Sequence, residues 1–181
     1  GQTQTVSPTS ATNYTVTVTG ANGCINTDQV LISLSTPPTA NVAGGTTVCQ
    51  SATNPQVVFT GTNGTAPYTF TYTLNGGGVL TAVSDATGIA RLNVSTVAVG
   101  TQSYVLTGVT DVNGCSWTTA ATSDFVILPL PLATITGNAN VCQNAAQPQI
   151  TITGTNGTAP YVFTYSLNGA GAQTVISDGN G

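Results

Sequence analysis

Apolar and polar residues alternate along this chain with a period of two. Tyr68, Phe70, Tyr72 and Leu74 are separated by Thr69, Thr71 and Thr73, and Tyr161, Phe163, Tyr165 and Leu167 take up the same rhythm further on. Val16 and Val18 stand between Thr15, Thr17 and Thr19. Successive side chains of a strand point to opposite faces, so this alternation predicts half-buried antiparallel strands. Threonine, a β-branched residue that suits a pleated surface, takes the outer face. No 3.6-residue stripe occurs, and Gly, Pro, Asn and Thr interrupt every candidate helix. Aligning Val57-Val58-Phe59 with Ile150-Thr151-Ile152 separates the faces of another strand: positions 57 and 59 point inward, and 58 tolerates a polar group.

That alignment is possible because the chain repeats itself. The run from Thr60 to Tyr68 returns unchanged as Thr153 to Tyr161, an offset of 93 residues, and Val48-Cys49-Gln50 and Ser84-Asp85 return at the same offset. Tyr14 to Cys24 resembles Tyr104 to Cys115 at an offset of 91 at the cysteines, which requires a short insertion between copies. Three pieces follow: 1–36, the C-terminal strands of one repeat; 37–130, a complete repeat; and 131–181, the N-terminal strands of a third. The two partial pieces are complementary, one a back half and the other a front half, as expected of a window cut from a longer head-to-tail array. Within the complete repeat, strands are expected near 39–43, 46–50, 56–61, 67–74, 79–84, 89–95, 102–110 and 116–128. Asn63-Gly64, Asn75-Gly76-Gly77-Gly78, Asp85-Ala86-Thr87-Gly88 and Asn113-Gly114 supply the turns. Seven or eight short strands in such a length predict an all-β fold of tandem immunoglobulin-like antiparallel sandwiches.

Composition removes whole classes of function. The chain has 181 residues, with one basic residue (Arg91), five aspartates, and no Lys, Glu, His or Met. Without His and Lys there is no Ser-His-Asp triad, no imidazole metal site, no Schiff-base lysine and no P-loop lysine. Nucleic acid and anionic membrane surfaces both need a basic patch and are excluded as partners. No apolar run is long enough to insert in a membrane as a helix. No catalytic residue, cofactor or metal is expected, and the chain is read as not an enzyme.

The four cysteines are expected to be structural in an oxidising, extracellular space. Cys49 and Cys115 lie 66 residues apart in the complete repeat, and a structural disulfide between them is expected, because small secreted sandwiches are usually stapled internally. Cys24 and Cys142 belong to incomplete repeats, so their partners are expected outside this stretch of sequence. The rival arrangement pairs Cys24 with Cys49 and Cys115 with Cys142, stapling neighbours together. Zinc is disfavoured by the absence of CxxC and His.

Several of these segments together carry a resemblance. Tyr14 to Cys24, Gly64 to Phe70, and Leu130 to Gly137 followed by Val141-Cys142-Gln143 resemble the PKD-like or Ig-like tandem repeats of giant cell-surface proteins of Bacteroidota, the gliding-motility adhesins among them. The resemblance covers essentially the whole chain. It implies a sandwich array, export by the type IX secretion route to the cell surface, and a role in cell adhesion or as a spacer. The partners it implies are neighbouring repeats of the same or an identical chain, with surface glycans as a further class.

Three functional readings follow. The first is a structural and adhesive repeat segment of a large extracellular protein or fibre. The second is a filament subunit assembling through strand edges or donated strands, since edges normally protected by Lys or other charges have almost none here. The third is an accessory carbohydrate-binding module of a surface enzyme. Single features read more simply as structure. Asp111-Val112-Asn113-Gly114 lacks the full calcium-loop series and reads as a tight turn. Trp117 is expected to pack near the disulfide, and Tyr104 or Tyr14 to form a tyrosine-corner contact.

Overall fold

The computed structural model describes residues 1–179. Among them are fourteen strands and no helix. In chain order they are β1 (Thr12–Thr19), β2 (Ile25–Ile32), β3 (Thr39–Ala43), β4 (Thr47–Cys49), β5 (Gln56–Thr62), β6 (Thr69–Leu74), β7 (Val79–Val83), β8 (Ile89–Asn93), β9 (Gly100–Thr110), β10 (Ser116–Leu128), β11 (Leu132–Thr136), β12 (Thr151–Thr155), β13 (Val162–Tyr165) and β14 (Gln173–Ile176). All eight strands expected between 37 and 130 are present, with ends shifted by at most two residues.

Strands β3 to β10 form two sheets, a three-stranded one in the order β3-β5-β8 and a five-stranded one in the order β4-β10-β9-β6-β7. Every pairing is antiparallel except that of the short β4, which runs parallel to the end of β10. The sheets face each other across one core. Val42, Val57, Phe59 and Ala90 come from one side, and Phe70, Tyr72, Ala82, Tyr104, Leu106, Val109 and Phe125 from the other. The rings run through this core as a chain: Phe59 lies 5.0 Å from Tyr72, Tyr72 6.0 Å from Tyr104, and Tyr104 5.8 Å from Phe125. The inward phase is the one the alternation predicts, with Val57 and Phe59 fully buried and Val58 only partly so.

The insertion between copies has a structural counterpart. Tyr104 and Leu106 are buried, and so are Val109 and Asp111, so the inward phase slips by one residue between 106 and 109. Both neighbours of β9 record that slip. Tyr72 and Thr71 of β6 face Leu106 and Gly108, and Ala121 and Thr118 of β10 face the same two residues. The extra residues are Thr107 on one strand and Thr119 and Ala120 on the other, a β-bulge. The hairpin β1–β2 pairs from Thr12↔Ile32 to Thr19↔Ile25 without a shift, and it lacks those residues.

A second local device occurs twice. The Tyr68 hydroxyl donates to the Asn63 carbonyl at 2.6 Å, and its ring lies flat on Gly61, where any Cβ would overlap it. Tyr161 covers Gly154 in the same way. The Tyr68 amide donates to Ser84 Oγ at 2.7 Å, and the Tyr161 amide to Ser177 Oγ at 2.9 Å. The tyrosine that ties a loop to its strand is therefore Tyr68. Tyr104 instead packs its ring in the core against Tyr72 and Phe125.

The flanking segments are smaller. β1 and β2 pair only with each other, as do β11 with β12 and β13 with β14.

Candidate interaction surfaces at the repeat ends

Hairpin β9–β10 closes the core with Tyr104, Leu106, Val109, Phe125 and Ile127, all buried. By sequence the matching residues of β1, β2 and the segment after them are Tyr14, Val16, Val18, Ile32 and Leu34. They have nothing to close. Val16 is 62% exposed where Leu106 is 0%, and Val18 is 61% exposed where Val109 is 1%. Strands β11 to β14 show the converse. Ile135 and Ile150 are exposed, whereas their counterparts Val42 and Val57 are buried. An open cleft lined by Ile152, Phe163, Tyr165 and Val175 lies where the complete unit holds its core. Each flanking piece exposes the apolar face that the other kind of piece covers in the complete unit.

The cysteines mark the two ends of that unit. Cys49 is paired with Leu128, the last residue of β10, whereas Cys115 immediately precedes Ser116, the first. Thirteen residues of strand separate the two ends, on the order of 40 Å at about 3.3 Å per residue. A disulfide needs Cα atoms within about 7 Å. The expected Cys49–Cys115 bridge is therefore not formed, and all four cysteines are free thiols. What the sequence leaves open is the direction of β4. By pairing parallel to β10 at its far end, β4 carries Cys49 away from the β9–β10 turn. Cys24 and Cys142 are exposed and likewise free.

Cys115 sits in a turn organised by Asp111. One carboxylate oxygen, Oδ1, accepts from the Asn113 amide at 3.0 Å and the Cys115 amide at 2.9 Å; the other, Oδ2, accepts from the Thr65 amide at 3.1 Å. Asn113 Nδ2 donates to Thr65 Oγ1 at 3.0 Å. The carboxylate thus clasps the Asn63–Thr65 loop to the β9–β10 turn, and its oxygens face amides. This was missed in the sequence, where Asp111 reads only as a turn residue; its signal was the pairing of a lone Asp with a loop kept identical in both copies. The Cys24 turn has the same backbone, with Gly20 N to Cys24 O at 2.8 Å matching Asp111 N to Cys115 O at 2.9 Å.

At the other end, Cys49 lines a groove with Leu128, Pro129, Pro131, Gly157, Thr158 and Tyr161. Cys49 therefore lies beside the loop of the following segment that corresponds to Gly64-Thr65. Trp117 does not pack beside a disulfide: it stands near the start of β10 in register with Val109 and is 54% exposed. Among the described residues no three or more His, Cys, Asp or Glu side chains gather as a metal would need.

Asp85 is an exposed carboxylate held by several hydrogen bonds. The Thr87 hydroxyl, at 2.6 Å, and the Ile89 amide, at 3.1 Å, hold it below the usual aspartate range. Burial pushes the Tyr104 phenol up, and Tyr72 adds to the shift.

No family model matches this chain, and a search of curated proteins finds no match.

Proposed function

We propose that this chain is a non-catalytic structural and adhesive segment of a large extracellular surface protein or fibre. In this reading its tandem Ig-like sandwiches recur about every 93 residues. Residues 1–36 end one sandwich, 37–130 form the next, and 131–181 begin a third. The observation that carries the reading is the pair of complementary exposed faces. Val16 and Val18 on one side, and the Ile152–Phe163 cleft on the other, are the two halves of a core that the complete unit holds closed. The composition supports a passive role, since there is no His or Lys to act as a base and the five aspartates are dispersed along the chain. The resemblance to bacterial surface repeats supports export, a cell-surface location and adhesion.

The second reading, a filament subunit, uses the same geometry without a peptide bond: the β1–β2 hairpin of one copy is donated to the open half of another. A variant of it, pairing through sheet edges, is favoured by β7, an edge strand with Val79, Leu80 and Val83 exposed.

Sedimentation of the purified chain against concentration tests this. The chain is expected to self-associate end to end. V16D/V18D is expected to stay monomeric, since two buried aspartates would face an apolar cleft. V97D, at a loop position 73% exposed, is expected to behave as the parent. A monomeric parent overturns the complementary-face reading, and association that survives V16D/V18D moves the contact to the β7 edge.

A further inference from the structure

We infer that consecutive copies of this chain are stapled by two disulfides, Cys49 of one copy to Cys24 of the next and Cys142 of the first to Cys115 of the next. The inference rests on the proposal that the hairpin of one copy completes the open half of another. It adds a specific covalent chemistry to that junction.

The complete unit provides the template. There the turn from Asp111 to Cys115 is fixed on Thr65 by three contacts: Thr65 N to Asp111 Oδ2 at 3.1 Å, Asn113 Nδ2 to Thr65 Oγ1 at 3.0 Å and Val112 N to Thr65 O at 3.2 Å. Thr158 is the counterpart of Thr65, and Asn22-Gly23-Cys24 is the counterpart of Asn113-Gly114-Cys115. The two turns share their backbone, with Gly23 at φ 79° and Gly114 at φ 82°. Gly20 stands where Asp111 does, so a hairpin docked on residues 131–179 as β9–β10 docks on β3 to β8 keeps the contacts of Asn22 and the Ala21 amide, and sets the turn that ends in Cys24 against Thr158. Cys49 already occupies the groove that Thr158 lines. The hairpin thus delivers one exposed thiol to another across a single loop.

The same step applies one sandwich further along. Cys142 stands in the turn that Cys49 occupies: Ala145 N bonds Cys142 O at 3.1 Å and Ala52 N bonds Cys49 O at 3.2 Å, with Asn144 at φ 67° and Ser51 at φ 63°. The completed sandwich therefore ends with Cys142 facing the start of the next complete unit, where Cys115 lies. Each junction receives one bridge. Within a single copy none of these pairs can meet, because Cys49 and Cys115 lie at opposite ends of one strand and the hairpin carrying Cys24 precedes the complete unit. The rival pairing, Cys24 with Cys49 and Cys115 with Cys142, thus names the right residues, but the bridges join different copies rather than neighbours within one chain.

Each bridge forms when two thiols lose two protons and two electrons to a small-molecule disulfide, which is reduced to two thiols while the Sγ–Sγ bond forms.

The test incubates the concentrated 181-residue chain with reduced and oxidised glutathione, then maps disulfides by mass spectrometry of peptic peptides. Cys49–Cys24 and Cys142–Cys115 links are expected, confined to dimers and longer species that form a ladder on a non-reducing gel and collapse with dithiothreitol. C24S is expected to remove the Cys49 link and leave the Cys142 link. Intramolecular links, links between identical cysteines, or no links at all would overturn the inference. The variant C24S/C49S/C115S/C142S, changed only at turn and strand-end positions, separates the two levels. If it self-associates while the parent lacks the named links, only the staple falls. If it also stays monomeric, the complementary-face proposal falls with it.

Discussion

Asp111 shows how much one side chain can organise in a chain with so few charges. Its carboxylate is buried and accepts three amide hydrogen bonds, from Thr65, Asn113 and Cys115. D111A leaves three donors without that acceptor, and a loss of about 2–3 kcal/mol is expected. D111N keeps an acceptor for two of them but turns an NH₂ toward one amide, so its urea midpoint should fall between those of D111A and the parent. Asp85 gives the pH counterpart at residue scale. Its folded value is lowered by the Thr87 hydroxyl and the Ile89 amide, so the stability it contributes is present above the ordinary aspartate range and is lost as pH falls through the lowered folded value. Thermal melts in the acid range should show D85N less acid-sensitive than the parent. A parallel fall of both curves would assign the acid limb to other aspartates.

At the scale of the element, the β-bulge explains why two copies of one hairpin differ in length yet present the same faces. Thr107 is the residue by which β9 slips phase, so removing it restores strict alternation of Tyr104, Leu106 and Val109. Removing Val105 does not, because either Tyr104 or Leu106 must then leave the core. Deletion of Thr107 is expected to cost little, within about 1–2 kcal/mol, as the regular pairing of β1–β2 already suggests. Deletion of Val105 should cost about 3–5 kcal/mol, the range for emptying a large buried site. Chemical denaturation followed by circular dichroism distinguishes them; equal losses would mean that the bulge, rather than the inward phase, is what the sheet needs. The alternation was legible in the sequence because it is local. The bulge was not placed, since a one-residue insertion has no marker until the strands on both sides are known.

The scarcity of charge acts on the molecule as a whole. With one Arg and five Asp, and no His, Lys or Glu, almost nothing titrates between the carboxylates and the thiols. The melting temperature is therefore expected to be flat from about pH 5 to pH 8 and nearly indifferent to added sodium chloride. Scanning calorimetry across that range checks it; a marked slope would reveal an ionic contribution to stability and overturn the expectation. At higher pH the buried Tyr104 phenol works the other way. Its folded value is raised, so its contribution is present below the ordinary tyrosine value and is lost as pH rises through the raised one. The surface is wet through Thr, Asn, Ser and Gln rather than through ions. It also leaves the two half-sandwiches without electrostatic protection, so their exposed valines and isoleucines are free to find each other.

The sequence by itself determined the strands, their inward faces, the turns and the internal repetition, because each of these is written in the order of neighbouring residues. It could not determine which residues far apart along the chain meet. Cys49 and Cys115 look like a natural pair by position, sharing one repeat. Tertiary structure separates them by the length of β10, because β4 runs parallel to that strand and joins it at its far end. By sequence Tyr104 or Tyr14 is expected to tie down a loop, whereas the residue that does so is Tyr68. Packing decides this, because the ring of Tyr68 needs the bare backbone of Gly61 and the ring of Tyr104 is claimed by Phe125 and Tyr72. Strand direction and sheet order depend on contacts between distant segments, so only the folded chain sets the ends to which each thiol is brought.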